Sequence, residues 1–108
     1  MRGIPNRRVY VIRLDAAVLG NRKFAQRNEQ YQAGKPCVYV GSTSLSPEER
    51  FKKHKDGIKA NRFVRDFGLY LMKRVYQKFP PQTWPEILKT EKLLAERLRR
   101  KSYAVWQG

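Results

Sequence analysis

The sequence predicts a small α+β domain built on a three- or four-stranded, mostly antiparallel sheet. Three observations support this. Two short runs rich in β-branched and aromatic residues lie early in the chain, two helix starts carry Ser or Thr followed closely by Pro and Glu, and 108 residues leave room for one core only. The whole of 1–108 is therefore expected to be a single domain.

Val9 to Leu14 reads as a first strand, and Lys35 to Gly41 as a second. Between them, residues 15–34 loosen into Asn, Gln, Arg and Gly with scattered apolar residues, an excursion with room for short helical turns. Ser46-Pro47-Glu48-Glu49 places an N-cap, a proline in the first turn and a carboxylate at the third helical position, so a helix should run to about Lys55 and stop at Gly57. Asn61 to Gly68 reads as a second short helix. Tyr70 to Phe79 is placed as the stretch holding a third strand, ended by Pro80 and Pro81. Thr83-Trp84-Pro85-Glu86 repeats the capping pattern and opens a long helix to about Lys101, followed by a last strand at Tyr103 to Trp106.

Charge narrows the function classes. The 24 Lys and Arg against 9 Asp and Glu give a net charge of +15, which points to a polyanionic partner. These cations are spread along the chain rather than gathered in one tail, so a folded basic surface is expected, with Lys52, Lys53, Lys59, Arg62 and Arg65 as candidate DNA contacts. Binding should be nearly independent of sequence, with specificity weak or supplied by a partner protein. No apolar run has the length of a membrane helix and no signal core follows the N-terminus, so a cytoplasmic protein with no membrane partner is expected. With one His and one Cys, a zinc site of the usual Cys/His kind is excluded by counting, and Cys37 reads as a small buried hydrophobe.

Five polar residues stand where a packed core or a solvated face would be the ordinary choice. Glu91 interrupts the apolar stripe of Ile87, Leu88, Leu94, Ala95 and Leu98, where a carboxylate is costly to bury without a partner. It is either an edge residue paired with a Lys or Arg, or a ligand for Mg²⁺ or Mn²⁺, ions that bind oxygen and keep much of their hydration. Arg50 and His54 lie one helical turn apart on one face, and His54 is the only imidazole in the chain. They are either part of a solvated basic helix or a phosphate fork beside a group that titrates near neutrality. Tyr10 and Tyr39 ride on the two early strands, where tyrosines usually pack their rings, and Gly41 ends the second strand with room for a close approach.

Val9-Tyr10-Val11, then Tyr39-Val40-Gly41 with Thr43, then Arg50 and His54 one turn apart, and finally Glu91 in the C-terminal helix resemble the GIY-YIG nuclease family, in order and over nearly the whole chain. The resemblance implies a compact α/β sandwich around a three-stranded antiparallel sheet flanked by helices. It also implies a metal-dependent endonuclease that hydrolyses phosphodiesters of duplex or branched DNA with one divalent ion, Mg²⁺ or Mn²⁺. By this resemblance Tyr10 positions or deprotonates the attacking water with help from His54, which relieves it of its proton. Tyr39 helps hold the water or the phosphate, Arg50 stabilises phosphoryl charge, and Glu91 binds the metal. Position 8 is Arg where the family usually has Gly, residues 15–34 form an insertion between the signature strands, and the Asn that follows the metal Glu in many members leaves Gln107 or nothing in its role. Two other classes fit parts of the pattern: a non-catalytic basic nucleic-acid-binding module, which leaves Glu91 unexplained, and a metal-independent ribonuclease using His54, Arg50 and a tyrosine.

Overall fold

The computed structural model describes residues 3–108 and holds a four-stranded sheet in the order β3-β1-β2-β4. The strands are β1 (Arg8–Leu14), β2 (Cys37–Thr43), β3 (Gly68–Leu71) and β4 (Ala104–Gln107). The helices are α1 (Arg22–Gln26), α2 (Pro47–Lys55), α3 (Arg62–Phe67), α4 (Lys73–Tyr76) and α5 (Trp84–Arg100), with a 3₁₀ turn at Ala16–Gly20. β1 runs antiparallel to both β2 and β3, whereas β4 lies parallel to β2.

The α+β class therefore holds; of the three or four strands expected, four form, one more than the three the resemblance implies, and one of the three pairings is parallel. The reason is α5, which carries the chain back along the sheet so that β4 enters beside β2 in the same direction, as a helical crossover does. The third strand also lies earlier than expected. Pairing with β1 begins at Gly68, directly after α3, and the chain turns at Met72 into α4 within the stretch read as strand.

Helix starts follow the capping chemistry. The Glu49 N–H donates to Ser46 Oγ at 3.1 Å with Pro47 in the first turn, and the Glu86 carboxylate accepts from the Thr83 N–H at 3.1 Å. α2 ends at Asp56 with Gly57 at φ 80°, a left-handed residue that glycine adopts without strain. Lys55 then crosses to α3, where its ammonium donates to the carbonyls of Arg65 (2.9 Å) and Gly68 (3.1 Å), binding the end of that helix.

Alternation along β1 and β2 sorts the sheet faces. Tyr10, Ile12 and Leu14 share one face with Tyr39, Gly41 and, across the parallel ladder, Trp106; α2 and α3 lie on that side. The other face, with Val38, Val40 and Gln107, takes α5, whose buried residues are Ile87, Glu91, Leu94, Ala95 and Leu98. Cys37 is buried, as expected. No helix among the described residues is long and apolar enough to cross a membrane.

Residues 15–34 are a structural element of the fold. Asn28 is buried, donates from Nδ2 to the Phe24 carbonyl at 2.8 Å, and accepts at Oδ1 from the Val105 N–H at 2.7 Å. Gln30 Nε2 reaches the Tyr103 carbonyl at 2.9 Å. These contacts pair backbone groups of an edge strand that would otherwise need water or another strand.

Candidate active site

The site is set by strand register. β1 places Tyr10 opposite Gly41, and β2 places Tyr39 opposite Ile12, so the two phenol rings come to the same face and stack at 6.1 Å between centroids with an interplanar angle of 21°. A β-carbon at position 41 would lie 2.7 Å from the Tyr10 hydroxyl and 2.8 Å from its ring, so glycine there is what lets the Tyr10 ring lie across β2. Tyr39 is closed in from the other end, where the main chain of Gly108 runs against its hydroxyl and donates to the Val40 carbonyl at 2.9 Å.

From α2, His54 enters beneath both rings and is fully buried. Its ring stands 5.5 Å from Tyr39, edge on, and its Nε2 is 2.9 Å from the Tyr10 hydroxyl. Its other nitrogen, Nδ1, accepts from the main-chain N–H of Asn61 at 3.0 Å. An imidazole whose Nδ1 lone pair is engaged in this way carries its proton on Nε2, so His54 donates to Tyr10 and the Tyr10 oxygen accepts. Protonating the ring would place an N–H against the Asn61 N–H. Burial first, and then the Arg50 charge, push the His54 pKa down to about 4. Burial foremost, with Tyr39 adding to it and Arg50 opposing, holds the Tyr10 phenol well above its usual range.

Arg50, one turn before His54, is half-buried and fixed by the loop that follows α2. Its guanidinium donates to the carbonyls of Lys59 at 2.8 Å and Ile58 at 3.4 Å. Lys59 holds φ at 46°, a left-handed conformation uncommon outside glycine, and its carbonyl is the one Arg50 bonds most closely. Arg50 lines an open groove with Arg7, Ser42, Thr43, Lys53 and Lys59.

Glu91 approaches from the opposite side of the sheet and is only 3 % exposed. Its Oε1 accepts from Gln107 Nε2 at 3.2 Å, and no Lys, Arg or His among the described residues forms an ion pair with it. Burial raises its pKa, with hydrogen bonding from Ser42 and Gln107 holding the shift back. Ser42 thus joins the two halves, since it lines the groove beside Arg50 and reaches the Glu91 carboxylate. The edge-residue alternative, with Glu91 paired to a surface cation, is not the arrangement present.

Tyr10, Tyr39, Arg50 and His54 thus come together, with Glu91 beneath the end of β2. Of the basic residues, Lys53 and Lys59 line the groove with Arg50, whereas Arg62 lines a different cleft. Lys52 and Arg65 are held in exposed ion pairs with Asp56 (2.8 Å) and Asp66 (3.0 Å). Sequence reasoning missed Asn61 and Ser42. Asn61 had a local signal as a helix N-cap, and its side chain does accept from Phe63 N at 2.9 Å, but nothing local marks its main chain as the partner of His54.

No family model matches the chain, and comparison with curated proteins and with solved structures found no match either.

Proposed function

We propose that the chain is a divalent-metal-dependent endonuclease of the GIY-YIG kind, hydrolysing DNA phosphodiesters. The observation that carries this reading is the meeting of a hydrogen-bonded, buried Tyr10–His54 pair with a loop-anchored Arg50, above a buried carboxylate that has no cationic partner among the described residues. A stable core has no use for that combination, because each of these groups is costly to bury.

The scissile phosphate lies in the groove against Arg50, whose fork of donors faces charge that grows in the transition state. Lys53 and Lys59 hold neighbouring phosphates. Tyr10 and Tyr39 position the attacking water. The Nε2–H of His54 fixes the Tyr10 hydroxyl, whose own proton stays on the phenol and is left to donate towards the water or the phosphate. The water's proton leaves to a phosphate oxygen or to solvent as the new P–O bond forms and the bond to the leaving oxygen breaks. His54 thus works on Tyr10 as a donor, a role opposite to the proton acceptor that the resemblance implies. Glu91, with the Ser42 hydroxyl beside it, would offer oxygen to Mg²⁺ or Mn²⁺, while Gln107, which turns its Nε2 to the carboxylate, would orient Glu91. Among the described residues no group of three or more His, Cys, Asp or Glu gathers anywhere, so an ion at Glu91 keeps much of its hydration. When bound, it would supply positive charge to the leaving oxygen.

The test is cleavage of supercoiled plasmid, branched and single-stranded DNA, and of single-stranded RNA, with Mg²⁺, with Mn²⁺ and with EDTA. Metal-dependent nicking supports the reading. Cutting of RNA that persists in EDTA and leaves cyclic phosphate ends, with DNA left intact, would transfer it to a metal-independent ribonuclease, and binding with no cutting of any substrate to a non-catalytic module.

A further inference from the structure

A second cationic cleft lies on the same face of the sheet as the candidate site. Lys23, Gln26 and Arg27 of the 15–34 segment, Arg62 at the start of α3 and Trp106 of β4 enclose an open space of about 340 Å³. The floor is rigid. Trp106 stacks on the buried Phe24 at 6.2 Å, meets Phe63 edge-on at 4.6 Å, and carries the Arg27 guanidinium 4.5 Å above its ring.

Two features mark this cleft as built for an anion. First, the ion pairs of the described residues are Lys52–Asp56, Arg65–Asp66 and Lys73–Glu48, so none of the three cations here is neutralised. Like charges gathered around one space repel, and an anion placed among them removes that repulsion. Secondly, the cleft adjoins the candidate site through covalent neighbours and register partners. Arg62 directly follows Asn61, whose N–H binds His54, and Trp106 pairs in register with Tyr39.

The aromatic floor does not offer a stacking platform for a base. Arg27, Phe24 and Phe63 already occupy the indole's surroundings, and single-stranded binders need an open ring face. The cleft fits phosphates instead. We infer that Lys23, Arg27 and Arg62 form a backbone clamp that grips duplex DNA phosphates to one side of the scissile phosphate, with Trp106 holding Arg27 in place. The identity of the polyanion rests on the nuclease reading; the clamp itself does not.

The experiment is the salt dependence of binding to a 30-bp duplex, read by fluorescence anisotropy in EDTA so that no cutting intervenes. Each phosphate contact contributes about 0.9 to the slope of log K against log salt. Replacing Lys23, Arg27 and Arg62 together by Gln should lower the slope magnitude by about 2 to 3. Replacing Lys92, Arg100 and Lys101, exposed cations on and just after α5, should lower it by less than about 1. The Lys23→Gln, Arg62→Gln double variant leaves the Arg27–Trp106 stack intact and should still lower it by about 1 to 2, which separates lost contacts from a disturbed floor.

Equal slope changes in the two triple variants, an unchanged slope in the clamp variants, or no duplex binding by the unaltered chain overturns the clamp. So does a loss confined to single-stranded DNA, which would mark a base-stacking site. If the clamp variants show the expected change while the chain cuts nothing, the nuclease reading falls and the clamp stands. Metal-dependent cutting with an unchanged slope gives the reverse.

Discussion

The main-chain N–H of Asn61 donates to Nδ1 of His54 at 3.0 Å, and this bond sets the direction of the one between His54 and Tyr10. A single backbone group, placed by the turn into α3, makes the imidazole a neutral donor at Nε2 in a site where a titrating base would be the simpler expectation. Lys55 anchors the other end of α3, so the helix that positions Asn61 is fixed at both ends.

Stability should fall as the pH is lowered through the range in which unfolded His54 takes up a proton and folded His54 does not. The folded pKa is pushed down from 6.5 to about 4, so the unfolded state binds more protons between those values and stability rises with pH across that window. The contribution is fully present above 6.5 and lost progressively towards 4, by about 3 kcal/mol at most. Glu91, raised by burial, has the opposite sign above the ordinary carboxylate range and offsets part of this. Urea unfolding of the Glu91→Gln variant between pH 7 and pH 4 should therefore show the steeper slope, and His54→Gln should flatten it. The same slope with and without His54 would place its origin elsewhere.

Cleavage should distinguish donor from acceptor at position 54. Glutamine keeps an N–H donor but cannot take up a proton near neutrality, so His54→Gln should retain more activity than His54→Ala, which should lose about 10²-fold or more. The rate of the unaltered protein should show no rise through an ordinary imidazole pKa. Tyr10→Phe removes the oxygen itself and should lose at least about 10²-fold while binding DNA normally. Equal damage from Gln and Ala, together with a rise near pH 6.5 that both abolish, would restore the acceptor role.

Much of this arrangement was legible because it is local. β-Branched runs marked β1 and β2, and Ser46-Pro47 and Thr83-Pro85 marked the starts of α2 and α5, because capping chemistry acts within one turn. Glu91 was conspicuous because it breaks a 3.6-residue period. The rest depends on pairing between distant segments. Nothing within Ala104–Gln107 records that it will lie parallel to β2, and β3 ends after Leu71 because Met72 turns the chain into α4 rather than for any break in local pattern. Asn28 sits in a polar stretch that reads as loop, yet its amide bonds Phe24 on one side and Val105 on the other, joining residues 15–34 to the last strand.

Gly41→Ala should remove activity through packing alone. The added methyl would lie 2.7 to 2.8 Å from the hydroxyl and ring of Tyr10, a rigid side chain that is 1 % exposed and has nowhere to withdraw. Overpacking of this kind costs about 1–3 kcal/mol. Tyr10→Phe should not rescue it, because the ring carbon remains, whereas Tyr10→Leu should recover stability without activity. Thermal denaturation of the three variants checks this, and an unchanged melting temperature for Gly41→Ala would mean that the Tyr10 ring has freedom the packing denies.

Glu91→Gln should separate stability from chemistry. The carboxylate is buried, held by Ser42 and Gln107, and raised in pKa by its surroundings, so its charged form is disfavoured in the folded state at pH 7. A neutral amide of the same shape should therefore make the domain more resistant to urea at pH 7, and less so at pH 4, where the carboxyl is nearer to neutral. Removing a negative charge near the groove should leave DNA binding equal or tighter. Cleavage in Mg²⁺ should nevertheless fall by about 10²-fold or more, because on the proposed reading this carboxylate is the one that holds the metal. A Glu91→Gln protein that is more stable, binds DNA and still cuts within a few-fold of the unaltered chain would show that this carboxylate has no part in the chemistry.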